Sequence, residues 1–201
     1  MLRELGVAFE HVPTGFQDGG TRTPDFLALN PNGRVPALID DGQVFVESLS
    51  INLYLASRYG GPVASSGVTE TALATQWSFW AVTEVEKPLL FAAANLLLFP
   101  EDGRRPDQAA LALKKLNRPF KVLDAHLRDR EWLVGDRFTV ADLNVAALMS
   151  LVPIAGVPIE GYPALAEWLT RCLDRPAADD WKPIRFTIPR PDDAGILTMF
   201  I

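Results

Sequence analysis

An acidic residue and a serine stand side by side where an amphipathic helix is predicted to begin, at Glu47 and Ser48. Apolar residues follow at helical spacing as far as Tyr59, and a Gly-Gly-Pro sequence then ends the pattern. The free N–H groups and the positive dipole end of a helix N-terminus attract anions. Ser48 could therefore hold a ligand carboxylate, although a serine in this position more often serves only as the helix cap.

A predicted hairpin precedes the helix and brings a second segment to its N-terminus. Pro36 opens an apolar run at residues 37–39. Proline has no N–H to donate, so it is tolerated at the first position of a strand, and its preceding bond is the one that is readily cis. Asp-Gly at residues 41–42 is typical of a tight turn, and a second apolar run fills residues 44–46. The pattern predicts two antiparallel strands that lead directly into the helix.

This arrangement resembles the glutathione transferase family, whose thioredoxin-like domain has a cis proline opening one strand and an acidic residue plus serine opening the next helix. The resemblance implies that the backbone of Val35, beside Pro36, pairs with the cysteinyl part of glutathione. It also implies that Glu47 and Ser48 hold the γ-glutamyl amino and carboxylate groups. Arg34 would lie near the glycyl end, and the alternative interpretation is an ordinary exposed loop arginine.

The first residues differ from the pattern of that family. Residues 1–6 look like the last turns of a helix that ends at a glycine, and residues 7–12 alternate as a strand does. Family members usually place a strand and a loop with a catalytic Ser, Tyr or Cys before such a helix. We therefore expect a thioredoxin-like domain that is incomplete at its start, with the catalytic side chain upstream of Met1.

Three accounts of this start are open: an internal methionine taken as the first residue, a fragment, or a natural degenerate member. An apolar segment at residues 195–201 could instead supply a surrogate strand. Its other interpretation is an arm over the domain junction or at a dimer contact.

The rest of the chain is predicted to be helical after a Gly- and Ser-rich linker at residues 61–67. A long helix over residues 69–99 contains Pro88, which could kink it. Thr139 and Asp142 form a capping-box pattern at the start of a later helix, and the same segment resembles the core helix of the family's helical domain. We expect Asp142 to be a buried structural acid rather than a catalytic one.

The predicted fold class is α/β plus all-α, with a thioredoxin-like N-terminal domain followed by an all-helical C-terminal domain. The expected boundaries are residues 1–61 for the first domain, 68–185 for the second and 186–201 for a C-terminal tail. A pocket for the electrophilic substrate is expected between the domains, lined in part by Trp77, Trp80 and Glu84 of the long helix. Tryptophans at this spacing are also typical of a core or a dimer contact.

Composition excludes several classes of function. The 201 residues are 48% hydrophobic and 22% charged, which is ordinary for a globular protein. The net charge of −6 is spread evenly and includes no basic patch, so neither nucleic acid nor an anionic membrane surface is an expected partner. Cys172 is the one cysteine, which excludes an intramolecular disulfide and favours the cytoplasm; we expect it to be buried. No His, Cys and carboxylate spacing predicts a metal site.

Two functions remain open from the sequence. The first is a glutathione transferase that conjugates the glutathione thiol to an apolar electrophile, or reduces peroxides, as a homodimer with glutathione as its co-substrate. The second is a noncatalytic module with the same fold that binds glutathione or a protein. Whether the chain is an enzyme depends on the catalytic loop, which we do not find in it.

Overall fold

The computed structural model describes residues 1–15 and 19–179, and the chain divides into two compact units. Unit 1 comprises Met1–Ser65, and unit 2 begins at Ser66. The division falls within the predicted linker at residues 61–67. The expected tail at residues 186–201, with the apolar segment 195–201, lies outside the described residues.

Unit 1 contains three helices and a two-stranded antiparallel sheet. The elements in chain order are α1 (Leu2–Leu5), α2 (Pro24–Leu29), β1 (Ala37–Asp40), β2 (Gln43–Val46) and α3 (Ser48–Tyr59). Ala37 lies opposite Val46 and Asp40 opposite Gln43, so the predicted hairpin and its turn are confirmed. Asp41 and Gly42 both have positive φ, as an Asp-Gly turn requires.

The predicted strand at residues 7–12 is wrong, because that segment forms no regular element. A strand needs a neighbour to take its backbone hydrogen bonds, and the sheet of the described residues consists of β1 and β2 alone. The apolar alternation of these residues does not bury them either. Val12 is 68% exposed and Phe9 is 47% exposed.

Helix α3 is held on the hairpin by an aromatic and polar cluster. The ring of Tyr54 stacks on that of Phe45 with 3.8 Å between centroids. The hydroxyls of Tyr54 and Tyr59 donate to the two carboxylate oxygens of Asp40 at 2.9 and 2.8 Å. Desolvation and the Asp40 bond raise the pKa of Tyr54, and the same carboxylate raises the pKa of Tyr59. The cluster holds the middle and the last residue of α3 on the hairpin.

The regular elements in the described residues of unit 2 are all helical. Its α-helices are α4 (Gly67–Trp80), α5 (Lys87–Ala93), α6 (Pro106–Leu127), α7 (Val140–Met149), α8 (Leu151–Ala155) and α9 (Pro163–Leu173). Two π-helical segments, Ala81–Glu86 and Ala94–Leu98, connect α4 to α5 and extend α5. The first π-helical segment ends two residues before Pro88. Because proline has no N–H to donate, the regular hydrogen-bond pattern of an α-helix is interrupted there, and the wider turn is the local result.

A buried carboxylate organises the centre of unit 2. Asp142 is fully buried and accepts hydrogen bonds from the Leu133 N–H at 2.8 Å and the Trp168 indole at 2.9 Å. Its other oxygen accepts from the Thr139 N–H at 3.0 Å, so the predicted capping box of α7 is present. Burial raises the pKa of Asp142, and the four N–H and O–H donors around it offset part of that rise. Cys172 is buried at 4% exposure, as predicted.

Candidate functional site

Glu47 and Ser48 occupy the N-terminus of α3, but neither acts as a conventional cap. The helix begins at Ser48, Glu47 is the N-cap residue, and no side-chain hydrogen bond caps the helix. Both residues are exposed, and the Ser48 hydroxyl makes no hydrogen bond to any described residue. The alternative in which Ser48 simply caps the helix is therefore wrong, because its hydroxyl points to none of the N–H groups it would satisfy.

The backbone of Glu47 is strained. Its φ of 69° and ψ of 110° place a residue with a Cβ in a region that L-amino acids rarely adopt. Such a conformation costs on the order of 1–3 kcal/mol and persists only where the surrounding structure imposes it. Here β2 ends at Val46 and α3 begins at Ser48, so Glu47 alone makes the change of direction. The strained residue is also the one that the sequence identifies as a ligand contact.

Val35 and Pro36 lie across the hairpin from this point. The register pairs Ala37 with Val46, so the next positions along the two chains bring Pro36 alongside Glu47. The Val35–Pro36 peptide is cis, as the sequence suggested. Among the described residues, the backbone N–H and C=O of Val35 make no hydrogen bond. Val35 therefore offers one backbone donor and one backbone acceptor to an extended ligand.

A buried asparagine, not identified from the sequence, fixes the loop before Val35. Asn30 is 2% exposed; its side chain donates to the Arg34 carbonyl at 2.7 Å and accepts from the Asn32 N–H at 3.1 Å. Asn-Pro at 30–31 signals a turn, which is the sequence feature that could have indicated this role. Gly33 has a φ of +60°, and a Cβ there would lie 2.6 Å from the Arg22 guanidinium.

Arg34 itself is exposed, and its side chain makes no ion pair with a described residue. The loop holds its backbone in place through Asn30 and leaves its guanidinium free to reach a ligand. The position suits a carboxylate at the far end of a short peptide, which is the role expected from the resemblance.

One end of this candidate site consists of the N-terminus of α3, the Ser48 hydroxyl and the Glu47 carboxylate. That end can take a group bearing both a carboxylate and an amine: the helix N-terminus favours the anion, and Glu47 favours the cation. The free backbone of Val35 can take an amide in the middle, and Arg34 a second carboxylate beyond it. The arrangement is therefore suited to a short, zwitterionic peptide in an extended conformation.

Of the three residues expected to line an electrophile pocket, Trp77 and Trp80 are in ring contact, and the pocket itself stays a prediction. Trp77 is only 7% exposed and packs edge-on against Trp80, with 5.0 Å between ring centroids, and 4.8 Å from the ring of His126. Trp80 is half-buried, and Glu84 is exposed on the π-helical segment. Trp77 is thus largely buried within unit 2, which is compatible with its alternative interpretation as a core residue.

Residues 1–15 and 19–179 contain neither a metal-binding cluster nor a membrane-spanning helix. No group of three or more His, Cys, Asp or Glu side chains could hold a metal ion there. None of the helices in this part of the chain is long and apolar enough to cross a membrane.

Each of the two units matches a known protein-family model. Residues 1–63 match the model described as glutathione S-transferase, N-terminal domain, and residues 87–176 match glutathione S-transferase, C-terminal domain. Glutathione S-transferase 3 of Zea mays is 39% identical over 192 residues, covering 88% of this chain and 83% of the relative. Glutathione S-transferase GstB of Escherichia coli (strain K12) is 33% identical over 181 residues, covering 88% and 86%.

Solved structures agree with this result. A theta class glutathione S-transferase from the citrus canker pathogen Xanthomonas axonopodis pv. citri, with glutathione bound, aligns at a TM-score of 0.83 and 30% identity, covering 92% of this chain and 90% of that one. Ure2p5 from Phanerochaete chrysosporium, cocrystallized with 1-(S-glutathionyl)-2,4-dinitrobenzene, aligns at 0.76 and 31% identity, covering 89% and 83%.

Proposed function

The chain belongs to the glutathione S-transferase family, and we propose that it binds glutathione at the N-terminus of α3 and conjugates its thiol to an apolar electrophile. One observation carries the location. Glu47 is strained and exposed beside a serine hydroxyl that makes no hydrogen bond to the described residues. The junction of β2 and α3 imposes this conformation on a residue that bears a Cβ, and strain of this kind clusters at ligand sites.

Glutathione has the groups that this site can take. Its γ-glutamyl end carries an amine and a carboxylate, which match the Glu47 carboxylate and the Ser48 hydroxyl at the helix N-terminus. Its cysteinyl amide matches the free backbone N–H and C=O of Val35. Its glycyl carboxylate matches Arg34. The cis Pro36 and the bonded Asn30 position the Val35 backbone for that pairing.

The reaction requires the thiolate form of glutathione, because a thiol has an ordinary pKa of about 8.5 and reacts poorly while protonated. The sulfur forms a bond to the electrophilic carbon, the leaving group departs with its electron pair, and the thiol proton passes to solvent or a base. Ser48 is assigned to the γ-glutamyl end, so it does not also serve the sulfur. We assign no residue of the described chain to activation of the thiol. The same thiolate would reduce a peroxide by attacking one oxygen and breaking the O–O bond, which releases water or an alcohol. The thiol of a second glutathione would then displace the oxygen from the resulting sulfenic acid as water and give glutathione disulfide.

We further propose that the protein works as a homodimer in the cytoplasm. Exposed apolar side chains on the long helix of unit 2, Phe79 at 68% and Val82 at 40%, support a contact with a second copy. A single buried cysteine suits a reducing compartment. Light scattering on the purified chain tests the dimer, and a monomer at micromolar concentration would contradict it.

Substitution of Ser48 tests the proposed binding site. Ser48→Ala should weaken glutathione binding at least about tenfold, since it removes a hydrogen bond to a carboxylate. Ser50→Ala is the matched control, because Ser50 is an exposed serine of the same helix, and its affinity should not change. Calorimetric titration measures both. Equal affinity for Ser48→Ala and the control would exclude the proposed role of Ser48.

Turnover distinguishes the transferase from the noncatalytic alternative. Conjugation of glutathione to 1-chloro-2,4-dinitrobenzene is measured on this chain and on a form extended through any upstream coding sequence. We expect the form that contains the activating side chain to conjugate. Binding without turnover in both forms would favour the noncatalytic module.

A further inference from the structure

A cavity of about 580 Å³ lies within unit 2, between α4, the last turn of α6 and the segment 129–136. We call it the helical cavity. Its α4 wall is formed by Leu73, Gln76 and Trp77, and its opposite wall includes Leu133 and Val134. The volume is within the range of small-molecule sites, about 300–1,000 Å³. All of its lining residues belong to unit 2, so it shares no residue with the proposed glutathione site.

The cavity has an aromatic wall whose position is fixed, with the Trp77 and His126 rings tilted 57° to each other. The rings of Trp77 and His126 lie 4.8 Å apart, and Trp80 packs edge-on behind Trp77. His126 Nε2 lies 3.0 Å from the Leu133 carbonyl oxygen, which can only accept, so Nε2 is the donor. The hydrogen bond holds the imidazole in place from the opposite wall. An aromatic ligand would therefore meet a preformed surface rather than a mobile side chain.

The rim of the cavity is predominantly acidic. Asp129, Glu131 and Asp136 line it together with one arginine, Arg130. The Arg130 guanidinium donates to the His126 carbonyl at 3.1 Å, which ties it to the end of α6. Asp129 makes no hydrogen bond or ion pair to the residues that the structure describes, whereas Glu131 approaches Arg171 at 4.0 Å. The Asp129 carboxylate is thus available to a ligand.

We propose that the helical cavity binds a planar organic cation, with its rings against Trp77 and its charge toward Asp129 and Asp136. An indole face attracts a cation, and the attraction is greatest where water is excluded. Two carboxylates on the rim select against aromatic anions.

The experiment uses berberine, a planar aromatic cation whose fluorescence rises in an apolar site, titrated with the full chain. The double variant Asp129→Asn/Asp136→Asn should raise the Kd about fivefold or more. Glu160→Gln/Glu167→Gln is the matched control, because it removes the same charge from exposed positions of unit 2 outside the cavity, and its Kd should stay unchanged. Leu73→Trp, on the partly exposed α4 wall, should block binding by filling the cavity.

Three results would overturn the proposal. One is an equal loss in the control variant, which would mean that the overall charge alone attracts the dye. Another is unchanged binding in Leu73→Trp with its helical circular dichroism preserved. The third is displacement of berberine by 1-(S-glutathionyl)-2,4-dinitrobenzene, which would make the cavity part of the electrophile pocket. We expect that conjugate to leave berberine bound.

Discussion

Glu47 and Ser48 bear on the proposed site in different ways, Glu47 through a strained backbone and Ser48 through a hydroxyl that caps nothing. Residue type and position were enough to identify both as candidates from the sequence. The positive φ of Glu47 was not predictable, because Gly, Asn and Asp are the residues that signal such a conformation. It follows from the junction of β2 and α3, where one residue must make the turn. The hydrogen bonds of Asn30, by contrast, join residues two and four positions apart, and the Asn-Pro turn signal could have indicated them.

Glu47→Gly separates stability from binding. Glycine tolerates a positive φ without the Cβ penalty, so the free energy of unfolding should rise by about 1 kcal/mol. Glutathione affinity should fall at least about tenfold, since the carboxylate that faces the amine is lost. Urea unfolding and calorimetric titration measure the two effects on the same preparation. Lower stability than the natural chain would contradict the strain at Glu47. Unchanged glutathione affinity would contradict the proposed contact of its carboxylate with the ligand.

At the scale of elements, patterns local in sequence were predictable, and those that depend on partners were not. The β1–β2 hairpin and the Thr139–Asp142 capping box rest on neighbouring residues, and both are present. The strand expected at residues 7–12 failed because a strand depends on a second strand beside it. The sequence likewise could not show whether Pro88 produces a kink or a π-helical turn. Both can result from the one backbone hydrogen bond that proline cannot donate.

The ion pair between Glu70 and Arg137 gives a pH-dependent prediction for α4. Arg137 donates to both Glu70 oxygens, at 3.1 and 2.8 Å, and Glu70 also accepts from the Ser66 N–H at 2.7 Å. The bond to Arg137 lowers the pKa of Glu70 below its ordinary 4.5. Because the folded pKa is the lower one, the stabilisation is present above pH 4.5 and is lost as the pH falls through the folded pKa.

Glu70→Gln should therefore lower the free energy of unfolding by about 1 kcal/mol at pH 7, a modest value because the pair is partly exposed. The difference from the natural chain should shrink as the pH is lowered below about 4.5. Thermal unfolding monitored by circular dichroism across pH 3–7 measures it, with Glu167→Gln as the exposed control. A difference that is constant over this range would argue against a role for the ionised carboxylate.

At the scale of the molecule, the order of a thioredoxin-like unit and a helical unit was predictable, because two short motifs mark one unit each. The first is Val35-Pro36 with Glu47-Ser48, and the second is the segment around Thr139 and Asp142. The helical cavity was not predictable, since Trp77, His126 and Asp129 come from two helices and a loop that only tertiary packing brings together. The spacing of Trp77 and Trp80 predicts a shared face, and their ring contact is present, whereas their role in an electrophile pocket stays a prediction.

The most direct test of the central claim is a two-dimensional amide NMR titration of the isotope-labelled chain with glutathione. We predict that the amide signals of Val35, Glu47 and Ser48 shift together and saturate at one Kd, because glutathione pairs with that backbone. The amides of Val134 and Gly135, which line the helical cavity, should stay in place. Saturable shifts confined to unit 2, or no shifts at millimolar glutathione, would contradict binding at the N-terminus of α3.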